Sequence, residues 1–135
     1  MERAARNALG LATLRIAIAC LLAIHGWYRF AHGGVVPFGE WLTGQGIPLG
    51  PYVAGVVTGW EILATPLLAL GWRVPWLCLG FVCVYLTGLV MVHWPEGWFV
   101  VGGGRNGMEY SVLLLVCLIV IAFTHLSERK TAIVE

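Results

Sequence analysis

One acidic side chain in the middle of an apolar stretch is the residue of this sequence best suited to chemistry. Glu61 is the only charged residue between positions 55 and 71. A carboxylate at the centre of a membrane-spanning helix costs about 2.5 kcal/mol or more, so it is expected to face a partner or a wet cavity. Spacings of three and four residues place Thr58 and Thr65 on the same helix face as Glu61, and Trp60 adjoins it in the chain.

Basic residues on an earlier apolar stretch include two candidate partners for this acid, His25 and Arg15. Arg15, His25 and Arg29 recur at helical spacing, so they share one stripe that is expected to face inward. At 1.5 Å per residue, His25 and Glu61 lie roughly 10 Å and 15 Å below the same membrane face, which allows a hydrogen bond between them. Arg15 lies deeper, and its long side chain either extends toward Glu61 or reaches the headgroups.

A paired histidine and carboxylate can exchange protons near neutral pH. We therefore predict a catalytic pair, His25 and Glu61. The predicted ligand-binding residues around this pair are Arg15, Tyr28, Arg29, Thr58, Trp60 and Thr65. A second, shallower pair is predicted between His93 and Glu109. The structural alternative for that pair is an interfacial histidine and a carboxylate that stabilises a helix N-terminus.

The composition indicates a membrane protein. Apolar residues make up 59% of the chain, charged residues make up 11%, and the mean hydropathy is +0.85. Four stretches reach the roughly 20 residues that a spanning helix needs. These stretches predict an all-α, integral membrane four-helix bundle that forms a single domain over residues 1–135, with helices at about 8–32, 51–70, 74–94 and 106–126.

The basic residues predict the orientation of the chain. Five of them flank the spans on one side, namely Arg3, Arg6, Arg73, Arg129 and Lys130. The opposite side has only Arg29 and Arg105, so both termini are expected in the cytoplasm and the Gly- and Pro-rich loops outside. A short interfacial helix is expected around residues 38–43 of the first of these loops, as a static cap in preference to a mobile lid.

Taken together, these residues resemble the DoxX family of small four-helix membrane proteins over roughly residues 9 to 125. The matching positions are Arg15, His25-Gly26, Glu61, the Leu68-Ala-Leu-Gly71 hairpin entry, His93 and Glu109. The C-terminal segment from Thr124 to Lys130 departs from the Ser-x-Asp-like end of the family. The resemblance implies a bacterial inner membrane protein linked to quinone redox chemistry, such as the small subunits of thiosulfate:quinone oxidoreductase.

The favoured function is an accessory subunit that binds a quinone head group at His25 and Glu61. No flavin, iron–sulfur, dithiol or metal-binding motif is visible, so electrons would come from a protein partner. A homo-oligomer is the other expected assembly, and no nucleic-acid partner is expected. The alternatives are a structural or assembly subunit and a transporter of a small solute or protons. A haem between His25 and His93 is disfavoured, because their depths differ by about 8 Å or more.

Overall fold

The structure, a computed structural model, describes the backbone of residues 2–134 and the side chains through residue 126. Helices make up 81% of the structure, and the described residues contain no strand, which confirms the predicted all-α class. The side chains of Arg129 and Lys130, used above to predict the orientation, lie outside the described residues. The α-helices are α1 (Arg3–Ala31), α2 (Val35–Gly44), α3 (Gly50–Leu70), α4 (Val74–Gly88) and α5 (Glu109–Val134).

Four helical segments are long and apolar enough to cross a membrane, as predicted. They are Arg3–Ala31, Gly50–Leu70, Val74–Glu96 and Glu109–Leu126. The first helix begins five residues before the predicted boundary, at Arg3 instead of about Ala8. Hydropathy marks the part of a helix that suits lipid, whereas the helical hydrogen bonds continue into the polar flank. The cytoplasmic location of the termini stays a prediction.

Backbone contacts divide the chain into two compact units. One unit comprises residues 19–72, and the other comprises the first 18 residues with those from 73 onward. Within the first unit, Leu22, Ala54 and Leu68 are fully buried. In the second unit α4 packs against α5, where the fully buried side chains include Phe81, Leu118 and Ile121.

The backbones of α2 and α3 touch because glycine stands at the contact. A Cβ added at Gly39 would lie 2.6 Å from Cα of Pro51, and one added at Gly50 would collide with the carbonyl oxygen of Gly39. The presence of α2 confirms the short helix predicted around residues 38–43, although α2 is longer, at Val35–Gly44. An added Cβ at Gly55 or Gly59 of α3 would meet no described atom outside the neighbouring backbone within 4 Å.

The third span does not end as a regular α-helix. After Gly88 it continues as a π-helical turn, Leu89–His93, and a 3₁₀ turn, Trp94–Glu96. The following loop folds back on itself, because the amides of Gly107, Met108 and Glu109 donate to carbonyl oxygens of residues 97–99. The α5 helix therefore begins at Glu109, three residues after the predicted start at about Asn106.

Candidate functional site

The buried acid of α3 is held by an ion pair. Nη1 of Arg29 donates to Oε2 of Glu61 at 2.6 Å, and the same nitrogen donates to Oγ1 of Thr58 at 3.1 Å. The Glu61 side chain is 3% exposed and that of Arg29 is 19% exposed. Charge-assisted hydrogen bonds of this length are about twice as strong as neutral ones. The polar centre predicted around Glu61 thus has Arg29 as its ionic partner.

A glycine brings α1 and α3 together beside this pair. A Cβ added at Gly26 would lie 2.7 Å from Cβ of Glu61 and 3.2 Å from its backbone carbon. Gly26 is one residue from His25 and three residues before Arg29, so the close approach occurs on the predicted polar stripe of α1. The helices are near enough for the long arginine side chain to return to Glu61 from the next turn.

The loop helix α2 contributes an aromatic ring. The guanidinium carbon of Arg29 lies 4.4 Å from the centroid of the Phe38 ring, which is within cation–π distance. The turn that leads into α2 is closed by a hydrogen bond of 2.7 Å from the amide of Gly34 to the carbonyl oxygen of Arg29. Gly33 makes this turn with a φ of +65°, a conformation that suits glycine. Arg29 therefore contacts α2 and α3 together.

The two predicted hydroxyl groups donate to their own helix. Thr58 donates to the carbonyl oxygen of Ala54 at 2.7 Å, and its oxygen accepts from Arg29. Thr65 donates to the carbonyl oxygen of Glu61 at 2.7 Å and lies 3.4 Å from that of Ile62. Pro66 cannot donate to Ile62, so the Thr65 hydroxyl partly replaces the missing hydrogen bond.

An open groove of about 390 Å³ runs along the C-terminal part of α1. It is lined by Ile24, His25, Tyr28, Arg29, His32 and Gly34. The rings of Tyr28 and His32 are stacked, with centroids 4.2 Å apart. Nδ1 of His25 lies 3.1 Å from the carbonyl oxygen of Leu21, so the proton of a neutral His25 is placed on Nδ1.

The groove brings three predicted site residues to one surface: His25, Tyr28 and Arg29. His32, which the sequence suggested was only interfacial, joins them. Its position seven residues after His25 was the signal for a shared face. Phe38 and Gly26 were not predicted as site residues. The sequence around an aromatic residue in a loop, or around a single glycine, does not show which residue it contacts in the fold. The hydrogen bond between His25 and Glu61 stays a prediction.

Arg15 belongs to a different polar contact. Its Nη1 lies 2.8 Å from Nε2 of His125 on α5. Nδ1 of His125 lies 2.9 Å from the carbonyl oxygen of Ile121, which places the proton on Nδ1 and leaves Nε2 to accept from Arg15. Trp60, also predicted at the site, is half-buried next to Glu61 on α3.

His93 and Glu109 bind backbone groups of the loop instead of each other. Nδ1 of His93 lies 2.7 Å from the carbonyl oxygen of Asn106. Oε1 of Glu109 accepts from the amide of Val100 at 3.0 Å. The predicted pair was wrong because it ignored the folded loop, whose backbone groups meet both side chains first. Among residues with described side chains, no three or more His, Cys, Asp or Glu come together to hold a metal ion.

Comparison with known proteins identifies one family. The family model named DoxX matches residues 10–94, which include α1, α2, α3 and the third span as far as Trp94. No curated protein and no solved structure matches the chain. The matched range contains Gly26, Arg29, Phe38 and Glu61, so the ion pair and its surroundings lie inside the segment that defines the family.

Proposed function

The chain belongs to the DoxX family of membrane proteins, and on this premise we propose that it is a quinone-binding subunit of a membrane redox system. The head group would lie in the groove of α1, beside the Arg29–Glu61 ion pair. The observation that carries the proposal is this adjacency, because Arg29 both lines the groove and binds the buried acid. The role resembles that of a thiosulfate:quinone oxidoreductase small subunit, with bacterial inner membrane as the expected location.

The groove has the chemistry that a quinone head group needs. Quinone carbonyl oxygens accept hydrogen bonds, and Arg29 and Tyr28 can supply donors at one surface, as can Nε2 of His25 when the imidazole is protonated. The apolar body of the quinone ring would contact Ile24 and the ring of Tyr28. Both residues line the groove and are more than 60% exposed. A site with an apolar lining and a few polar groups suits such a ligand.

Reduction of a quinone to a quinol takes two electrons and two protons. In this proposal His25 would give or receive a proton at the head group, and Glu61 on α3 would exchange protons with His25. The electrons would come from a protein partner that carries a redox centre. The chain would therefore be an accessory subunit that binds the quinone and supports its protonation.

A structural or assembly role is the second candidate, and one observation favours it. The Glu61 carboxylate already has a short ion pair inside the chain, and a buried pair can fix helix register without a ligand. Under this alternative, replacing Arg29 and Glu61 together with apolar residues of similar size would preserve cellular function. Loss of function with preserved folding would favour the quinone site.

The direct test is the titration of a short-chain quinone against the purified protein in lipid nanodiscs. Binding is measured by the quenching of tryptophan fluorescence. An alcohol with the same chain but no head group measures partitioning into the lipid. We expect saturable quinone binding that is weakened about tenfold or more in Glu61→Gln and Tyr28→Phe. Glu40→Gln is the matched control, since Glu40 is an exposed acid of α2. Quinone quenching equal to that of the alcohol would contradict the proposal.

A further inference from the structure

We infer that Phe38 is a positioning residue of the candidate site, which holds the Arg29 guanidinium in place from the loop helix α2. In this role α2 is a fixed cap and not a lid. The consequence for ligand binding rests on the proposed quinone site, whereas the effect on Arg29 does not. The inference begins from the 4.4 Å separation between the Arg29 guanidinium and the Phe38 ring.

Arg29 is restrained from several directions at once. Its Nη1 is bound by Glu61 and Thr58, and the Phe38 ring covers the guanidinium. An arginine side chain has many rotamers in the absence of such contacts, and fixing it in one rotamer costs conformational entropy. The ring supplies attraction for the cation and also excludes water from one side of the ion pair. Removing the ring would therefore release the guanidinium, even with Glu61 unchanged.

The Phe38 ring can serve as a fixed support because α2 is anchored to α3. The backbones meet at Gly39, Gly50 and Pro51, and neither glycine could accommodate a Cβ. The added Cβ at Gly50 would also collide with Oγ1 of Thr43 on α2, and Leu42 of α2 is 5% exposed. Opening α2 as a lid would have to break this backbone contact and expose Leu42. The static cap favoured by the sequence thus has a structural reason.

The ring also determines which donors of Arg29 face the groove. A guanidinium has five N–H donors in one plane, and Nη1 is committed to Glu61 and Thr58. A cation under an aromatic ring keeps a defined orientation, so the remaining donors keep a defined direction toward the groove that Arg29 lines. Phe38 would thereby favour ligands with a hydrogen-bond acceptor at that position, as a quinone carbonyl provides, without touching the ligand itself.

The first experiment measures Arg29 directly. Protein labelled with ¹⁵N-arginine is placed in nanodiscs, and rotation about the Arg29 Nε–Cζ bond is followed by NMR, with the signal assigned by its loss in Arg29→Lys. Phe38→Leu is expected to accelerate rotation roughly three- to tenfold, the range for loss of a partly buried cation–π contact. Phe38→Tyr keeps the ring and is expected to restore the wild-type rate. Phe123→Leu, at an exposed phenylalanine, is the control.

Equal rotation rates in wild type and Phe38→Leu would overturn the inference, as would equal acceleration in Phe38→Leu and Phe38→Tyr. The second experiment repeats the quinone titration with both variants. Weaker binding in Phe38→Leu with recovery in Phe38→Tyr is expected, and unchanged binding in Phe38→Leu would overturn the link to the ligand. If wild type itself does not bind quinone, the proposed function fails and the Arg29 rotation rates alone decide the inference.

Discussion

Gly26 of α1 lies directly against Glu61 of α3, where a Cβ on the glycine would be 2.7 Å from Cβ of the acid. The close approach of these helices therefore occurs at the acid itself. It explains how an arginine from the next turn of α1 reaches a carboxylate that is 3% exposed.

Gly26→Ala is expected to destabilise the protein by about 1–3 kcal/mol, the usual cost of forcing an extra methyl group into a packed contact. The measurement is the free energy of unfolding in mixed micelles, from a denaturing-detergent titration followed by circular dichroism. Gly10→Ala on the same helix is the control, because an added Cβ there meets no described atom within 4 Å. Equal stability of the two variants would show that the helices are not in contact at Gly26.

Arg29→Met is expected to lower the free energy of unfolding by about 3–5 kcal/mol, because it leaves the Glu61 carboxylate buried without its ionic partner. The double variant Arg29→Met with Glu61→Leu should recover most of this loss, since both charges are then gone. The same titration measures both, with Arg105→Met at an exposed loop position as control. If the double variant were as unstable as Arg29→Met, the loss would come from packing and not from the charge.

Gly39→Ala is expected to separate α2 from α3, because the new methyl group would lie 2.6 Å from Cα of Pro51. Amide hydrogen exchange, read by mass spectrometry, should accelerate about tenfold or more in the α2 segment, as overpacking of more than about 1.4 kcal/mol implies. Gly44→Ala lies on the same helix with no described atom within 4 Å and should leave exchange unchanged. Unchanged exchange in Gly39→Ala would remove the anchor on which the fixed cap depends.

His125→Leu is expected to lower the free energy of unfolding by about 1.5–3 kcal/mol, the range for losing a hydrogen bond to a charged group. The lost contact is the 2.8 Å hydrogen bond from Arg15 to Nε2. His125→Gln keeps an acceptor and should recover part of the loss. The result that contradicts this contact is a His125→Leu protein as stable as wild type in the detergent titration.

The four spans could be predicted from the sequence because hydropathy over about 20 residues is a local property. The start of α5 could not, since the Gly-rich loop between residues 97 and 108 is closed by backbone hydrogen bonds to Gly97, Trp98 and Phe99. The π-helical turn that contains His93 could not be predicted either. Sequence periodicity does not show which carbonyl oxygen each backbone amide donates to.

The site was predicted in part. Glu61 was identified because a lone acid among apolar residues is costly, and its stripe partners on α1 followed from periodicity. Its ionic partner Arg29 was assigned only to ligand binding, because depth was counted along the helix axis and arginine reaches across more than one turn. Phe38 could not be found, since its position over Arg29 depends on the tertiary contact of Gly39 with Pro51.

The most direct test of the quinone site is photolabelling. A short-chain quinone with a photoreactive group on the ring is irradiated with the protein in nanodiscs, and the labelled residues are located by mass spectrometry. The groove predicts labels concentrated on residues 24–34, suppressed by excess unlabelled quinone and reduced in Tyr28→Phe. Labels spread over all lipid-facing helices, or unaffected by excess quinone, would contradict a quinone site on α1.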